Sequence, residues 1–198
     1  MSTVFDLPTI GFTAAGEPDN GLLATDRPNV FNAFGAYIFD WMGNKTNSTE
    51  FSFFQTVQSG TPQTTLINFI TPIPETRRGD LGRTPRFSQT DIAVSHKYRF
   101  GRDNRFTLVG DLNILNLLNQ DIVTSLFTTR SGVTLSPSTF GLSEIAGANA
   151  FTNGELSGRI NTFLQGTPTA LNRLNSAYGQ ANGFQGPRSV RFGFRLLF

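Results

Sequence analysis

The chain has 198 residues, 20 of them Phe and 20 Gly, and its composition is too aromatic for a disordered chain and too rich in glycine for a helical protein. The absence of cysteine excludes a disulfide framework and a thiolate metal site. Lys and Arg total 16 against 14 Asp and Glu, and this net charge of +2 does not favour nucleic acid as a partner.

Two segments in the first third of the chain alternate between apolar and polar residues. Residues 30–42, VFNAFGAYIFDWM, place an apolar or small side chain at every odd position, and residues 49–60, TEFSFFQTVQSG, place Phe51, Phe53 and Val57 on one face. A period of two predicts β-strands. The polar turn GNKTNS between them is short enough for a hairpin.

A second hairpin is predicted farther along the chain. Residues 87–100, FSQTDIAVSHKYRF, and 105–117, RFTLVGDLNILNL, alternate in the same way. The intervening GRDN supplies Gly and Asn, which tolerate the positive φ of a tight turn. Even positions of these strands and of the last strand are expected to form one exposed apolar face: Ile92, Val94, Phe106, Leu108, Phe192 and Phe194.

The fifth predicted strand, near residues 188–198, ends at the last residue of the chain. Every second side chain in it is apolar: Val190, Phe192, Phe194, Leu196 and Phe198. Arg191 and Arg195 lie in the opposite register. In a membrane barrel the apolar register meets lipid, because each arginine facing lipid at the midplane would cost about 2–4 kcal/mol.

Short and long connections alternate between these strands, which is typical of outer-membrane barrels with short periplasmic turns and long extracellular loops. The long connections are residues 61–88 and the loop 118–187. Aromatic residues precede both short turns, where a periplasmic aromatic girdle is expected. The predicted fold is all-β, an antiparallel up-and-down meander of about five strands that forms part of a transmembrane β-barrel wall.

Charged residues of the strands share the register opposite to the apolar face, which we assign to the barrel lumen: Glu50, Asp91, Lys97, Arg99, Asp111, Arg191 and Arg195. They are expected to form cross-strand ion pairs, each worth less than about 1 kcal/mol, or else to bind a substrate. His96 is the sole histidine and is expected to have a structural role near the girdle. No catalytic residue, cofactor site or metal site is predicted, and the chain is not expected to be an enzyme.

Five strands cannot close a bacterial barrel, which has an even number of strands. No sixth strand is evident in residues 1–29, and that segment has neither the basic nor the apolar region of a signal peptide. We therefore interpret residues 1–198 as the C-terminal part of a larger barrel domain. The alternative is a soluble β-sandwich that serves as a binding or adhesion domain.

Several blocks resemble the last strands of Oar-like TonB-dependent outer-membrane receptors: DRPNVFNAFGAYIF, QSGTPQTT, RGDLGRTPRFSQTDIAVSHKYRF, FTLVGDLNILNLLNQ and GPRSVRFGFRLLF. The resemblance covers residues 26–119 and 186–198. The final block also resembles the C-terminal assembly signal of outer-membrane proteins, with Phe192, Phe194, Leu196 and Phe198 as its apolar positions.

The resemblance implies a transporter in the cell outer membrane, with a barrel of about 22 strands and a plugged lumen. The implied partners are outer-membrane lipid, the rest of the barrel and its plug, TonB through an N-terminal region, and the outer-membrane assembly machinery. The plug and the TonB box are not in this sequence. The resemblance therefore carries no substrate-contacting plug residue onto this chain.

The loop 118–187 matches no part of that family pattern. Helical spacing predicts one helix at residues 153–164, with Leu156, Ile160, Phe163 and Leu164 on its apolar face, and another at residues 167–178. The loop is expected to pack on itself, and the alternative is a surface for ligand. The tripeptide RGD at residues 78–80 is interpreted as part of a loop and not as an adhesion motif.

Overall fold

The computed structural model describes residues 11–43, 46–143, 149–150, 153–165 and 173–198. Within them the strands are β1 (Val30–Asp40), β2 (Asn47–Gln58), β3 (Leu66–Phe69), β4 (Thr71–Pro74), β5 (Phe87–Phe100), β6 (Phe106–Leu115), β7 (Val123–Leu126), β8 (Ala181–Phe184) and β9 (Ser189–Leu197). The helix α1 spans Glu155–Gln165. No helix in the described part of the chain is long and apolar enough to cross a membrane.

Five strands form one antiparallel sheet in the order β1-β2-β5-β6-β9. These are the five strands that the alternation predicts, paired in the order in which they occur among the five. The all-β class and the antiparallel meander are confirmed. The remaining strands form two small sheets, β3-β4 and β7-β8, which the sequence did not predict.

The chain divides into two compact units. The sheet unit comprises Pro28–Ser59, Arg86–Ile122 and Phe184–Phe198, and it contains the five-stranded meander. The loop unit comprises Met1–Arg27, Gly60–Pro85 and Val123–Gly183, of which the described residues are considered. The two long connections predicted from the sequence therefore contribute to a folded unit.

The register of the sheet places the predicted apolar positions on one face. Directly paired residues form rows that cross all five strands, such as Tyr37, Phe51, Val94, Leu112 and Phe192, and then Gly35, Phe53, Ile92, Ile114 and Val190. Cross-strand partners point to the same side of a sheet. The next rows on this face, toward the short turns, are Phe39, Thr49, His96, Gly110 and Phe194, then Asn47, Tyr98, Leu108 and Leu196, and finally Phe100 and Phe106. We call the residues of these five rows the apolar band.

The six even-numbered residues expected on this face all lie on it, and none of them is buried. Phe192 and Phe194 are 72% and 78% exposed, and Leu108 is also exposed. Ile92, Val94 and Phe106 are half-buried. Phe192 and Phe194 are the most exposed of the six because β9 lies at an edge of the sheet.

The opposite face is less uniformly polar than alternation alone suggests. Phe34 and Phe54 are direct partners across β1 and β2 on this face, and Phe34 is 85% exposed. Ile38 lies on the same face and is also exposed. Strand β1 therefore presents large apolar side chains on both of its faces.

A ring covers the one glycine in the interior of β1. Gly35 pairs with Phe53, and a Cβ atom added at Gly35 would lie 2.6 Å from Cε1 of that ring. Glycine in a strand lacks a side chain to pack, and an aromatic partner across the strands restores that contact. The absent side chain thus lets Phe53 lie flat against the backbone of β1.

The second short turn has the geometry that its sequence predicts. Gly101, Asp103 and Asn104 have positive φ of 86°, 58° and 58°, around a 3-10 turn at Arg102–Asn104. In the first turn Gly43 has φ of 69° and Met42 has φ of 56°. Residues 44 and 45 of that turn lie outside the described residues.

The loop unit has a hydrophobic core of its own. Buried side chains from the N-terminal segment, the β3-β4 hairpin, the loop after β7 and helix α1 form it: Ala14, Ile67, Phe69, Ile73, Leu135, Ala150, Leu156, Ile160 and Leu164. Helix α1 confirms the predicted helix, with Phe163 partly buried against this core. Residues 167–172, the first half of the second predicted helix, lie outside the described residues, and residues 173–178, its second half, are bridge and turn, so the helix prediction is wrong there.

Candidate functional site

The strands that carry the apolar band have the length of transmembrane barrel strands. Along β5 the band extends from Ile92 to Phe100, which at about 3.3 Å per residue is roughly 26 Å. Strands that cross a membrane in a barrel are tilted by about 35–45° and have about 9–11 residues. The five strands of the sheet have 11, 12, 14, 10 and 9 residues.

Aromatic rings concentrate at the short-turn end of the band, as predicted. Phe39 and Trp41 meet edge to face with centroids 4.8 Å apart. Phe100 lies 5.9 Å from Tyr98 and 5.6 Å from Phe106, both in stacked orientation. Of these rings, those of Trp41 and Tyr98 are amphipathic, and Trp and Tyr are enriched where a membrane meets water.

One polar cluster interrupts the band next to these rings. Trp41 Nε1 donates a hydrogen bond to Thr49 Oγ1 at 2.9 Å, and Thr49 Oγ1 lies 2.8 Å from His96 Nδ1. Thr49 is buried, whereas His96 is exposed and pairs directly with Gly110. We call these four residues the His96 notch. The sequence predicted an interfacial structural role for His96 but could not show its partners.

Three of the four apolar positions of the resembled assembly signal lie on the band at the edge of the sheet. In β9, Phe192, Phe194 and Leu196 pair with Leu112, Gly110 and Leu108 of β6. Phe198 follows the strand and is 91% exposed.

The charged residues assigned to the lumen share the face opposite the band. Arg195 donates to Asp111 Oδ2 at 3.0 Å, and the Ser95 hydroxyl donates to Asp111 Oδ1 at 2.7 Å. Asp91 accepts from the side chain of Gln89 at 2.9 Å. The expected pattern of ion pairs is therefore found at one position among the described residues.

The register explains why the other lumen-face charges do not pair. Glu50 lies between Ile38 and Ser95, so no cation is opposite it. Lys97 lies between Ser48 and Val109 in the same way. Arg99, opposite Thr107, and Arg191, opposite Asn113, also lack an ion-pair partner among the described residues. The face thus carries four cations and three anions among the residues assigned to the lumen, and of these only Arg195 and Asp111 form an ion pair among the described residues.

The RGD tripeptide is engaged within the loop unit. Arg78 Nε donates to Asp19 Oδ1 at 2.7 Å, and both of these side chains are largely buried. The backbone N–H of Gly79 donates to Thr64, and Asp80 Oδ1 accepts from the backbone N–H of Thr65 at 2.7 Å. These bonds support the interpretation of the tripeptide as part of a structural loop.

A buried ion pair in the loop unit was not predicted. Glu75, at the end of β4, pairs with Arg130, which also donates to Asn161 Oδ1 of α1 at 3.1 Å. Burial raises the pKa of the Glu75 carboxyl above its usual range, although Arg130 acts against the rise. Glu75 and Arg130 are far apart in the sequence, so no local pattern could have identified the pair.

The raised pKa of Glu75 predicts a pH-dependent stability. A carboxyl with a raised pKa in the folded state binds its proton more tightly there than in the unfolded chain. The contribution of Glu75 to the free energy of unfolding is therefore complete below the ordinary pKa of 4.5, and it is lost as pH rises through the pKa of the folded state. Hydrogen exchange of β4 in the full-length protein, corrected for intrinsic rates, should show an opening free energy that falls over this window. The variant Glu75→Gln should lack this fall, and an unchanged slope in that variant would contradict the assignment.

A shallow cavity of about 560 Å³ adjoins α1 in the loop unit. It is lined by Phe140, Glu155, Gly158, Arg159, Thr162 and Phe163. Glu155 and Arg159 pair along the helix, and the rings of Phe140 and Phe163 meet edge to face at 5.7 Å. In the described part of the chain no three His, Cys, Asp or Glu side chains are grouped so that they could hold a metal ion.

Compared with known proteins, the chain matches no family model, no curated protein and no solved structure.

Proposed function

We propose that the chain is part of the wall of an outer-membrane β-barrel, from a TonB-dependent transporter of the Oar-like type. The observation that carries this proposal is the apolar band, an exposed surface that continues across all five strands. Soluble monomers rarely expose contiguous apolar patches beyond a few hundred Å². Lipid acyl chains are the partner whose chemistry fits such a surface.

The edges of the sheet support the same proposal. Strands β1 and β9 are the outermost strands, so each has one row of backbone groups without a strand partner in the described chain. Such groups cannot remain unpaired in hydrocarbon, and a closed barrel satisfies them. The rest of the barrel would supply the two missing neighbours. A two-sheet sandwich would instead require a second sheet against the apolar face.

In this role the chain contributes three parts of a transporter. The apolar band faces lipid, the charged face lines the wet lumen, and the long connections between strands are extracellular loops. The resemblance adds an energised plug, driven through TonB, that gates uptake from outside this segment.

Single-cysteine labelling of the full-length protein in outer membranes tests the orientation, since this segment has no native cysteine. Phe192 and Arg191 are neighbours on opposite faces of β9 and form a matched pair. Phe192→Cys should react with a membrane-impermeant maleimide at least about tenfold more slowly than Arg191→Cys, because a thiolate does not form readily in hydrocarbon. A fluorophore at position 192 should be quenched by nitroxide-labelled lipid.

Equal labelling of the two variants, without quenching by lipid, would place both faces of β9 in water. That result, with the parent protein in the aqueous fraction after cell lysis, would favour the soluble binding or adhesion domain. A membrane-bound protein with both positions equally shielded would likewise contradict a wet lumen on the Arg191 side.

A further inference from the structure

We infer that the His96 notch binds the phosphate of a phospholipid headgroup in the leaflet at the short-turn end of the sheet. The inference rests on the proposed function, because it requires the apolar band to face lipid. It goes further by assigning a specific lipid contact to a polar cluster within that band.

The proposed contact requires the tautomer of His96 in which Nδ1 accepts a hydrogen bond, since the hydroxyl of Thr49 can either donate to that nitrogen or accept from it. Thr49 Oγ1 accepts from Trp41 Nε1, and its own hydroxyl hydrogen is available to His96 Nδ1. A neutral imidazole that accepts at Nδ1 carries its proton on Nε2. In this tautomer the ring presents an Nε2–H donor away from Thr49.

That donor has no partner among the described residues. His96 is exposed on the apolar face, in the row that also contains Phe39 and Phe194. A polar N–H that faces hydrocarbon without a hydrogen bond is strongly unfavourable. The proposed orientation thus requires an acceptor that the lipid itself supplies.

The residue opposite His96 on β6 carries no side chain. Gly110, the direct partner of His96 on β6, has no side chain, and a Cβ atom there would meet only the ring of Phe194, at 3.5 Å. Tyr98 lies one row closer to the short turns and is exposed. Trp41 and Tyr98 belong to the aromatic end of the band, where headgroups are expected. Phosphate oxygens at this level are strong acceptors for an imidazole N–H.

Native mass spectrometry of the delipidated full-length protein tests this contact. The parent should bind phosphatidylethanolamine about tenfold more tightly than His96→Phe, the change expected for one charge-assisted hydrogen bond. Diacylglycerol with the same acyl chains lacks the phosphate and should not distinguish the two proteins. His96→Gln keeps a side-chain N–H donor and should bind the phospholipid like the parent. Val94→Ala, which alters the same face one row away, serves as the control and should also bind like the parent.

Phospholipid binding by His96→Phe at the parent's level would overturn the inference, as would equal loss in His96→Phe and His96→Gln. Inorganic phosphate added alone should not occupy the site, and its tight binding would assign the notch to a free anion instead. A full-length protein found in the aqueous fraction overturns the proposed function and this inference together. A membrane-inserted protein whose His96→Phe variant binds lipid normally overturns this inference alone.

Discussion

Replacing Gly60 with alanine is expected to destabilise the loop unit by about 3 kcal/mol or more. Gly60 is buried, and a Cβ atom there would overlap the backbone oxygen of Thr84 and lie 2.5 Å from its carbonyl carbon. The same atom would be 2.9 Å from the oxygen of Pro85. Because the obstacle is backbone rather than the end of a flexible side chain, one of the two segments has to move.

That movement would break the contacts that join the ends of the segment 60–85. Thr61 and Thr84 exchange hydrogen bonds of 3.0 Å in both directions, and Arg83 donates to the oxygen of Gly60 at 2.9 Å. Hydrogen exchange of the β3-β4 hairpin in the full-length protein would measure the loss. Gly158→Ala is the matched control, since this helical glycine has open space around it and alanine should stabilise α1 by about 0.5–1 kcal/mol. Equal protection in Gly60→Ala and the parent would contradict the close approach.

Deleting Phe198 from the full-length protein is expected to reduce its insertion into the outer membrane strongly while leaving its expression unchanged. The ring is 91% exposed in this chain and follows the edge strand β9. Removing this ring loses roughly 3 kcal/mol or less of the free energy gained by burying it in lipid, and that loss is small compared with the stability of a large barrel. A strong defect would therefore reflect recognition of the terminal aromatic residue by the assembly machinery and not a loss of stability.

Leu197→Asn provides the comparison at the adjacent position. Leu197 pairs with Thr107 and lies on the face opposite the band, so a polar residue there should have far less effect. Heat-modifiability on gels of outer-membrane fractions reports the folded, inserted form of both variants. Insertion of the Phe198 deletion at the parent's level would show that the end of β9 acts only as a strand.

The strands and their faces could be predicted because the signal is local. Successive side chains of an extended chain point to opposite sides, so the alternation in residues 87–100 identifies both β5 and its apolar face. The turn at Gly101–Asn104 could be predicted for a similar reason, since few residue types tolerate its positive φ. Alternation also predicts that the residues of the apolar band lie on one side of their strands. It does not predict that the rows of this band continue across all five strands.

Contacts between distant segments could not be predicted in this way. The core of the loop unit joins Ile67, Leu135 and Leu156, which belong to elements that no shared period connects. The pairs Glu75–Arg130 and Arg78–Asp19 likewise depend on how the loops fold. Register decided two further features: Phe34 meets Phe54 on the otherwise polar face, and Glu50 and Lys97 meet no opposite charge across the strands.

The sequence by itself thus determined the antiparallel meander and the two-sided chemistry of its strands, because backbone geometry converts a period of two directly into two faces. Only the tertiary structure decided that the long connections build a unit with its own core and that Trp41, Thr49 and His96 form a hydrogen-bonded notch. Those features depend on which distant residues are brought side by side. The pairing of β2 with β5 sets that proximity for Thr49 and His96, and no pattern within either strand specifies it.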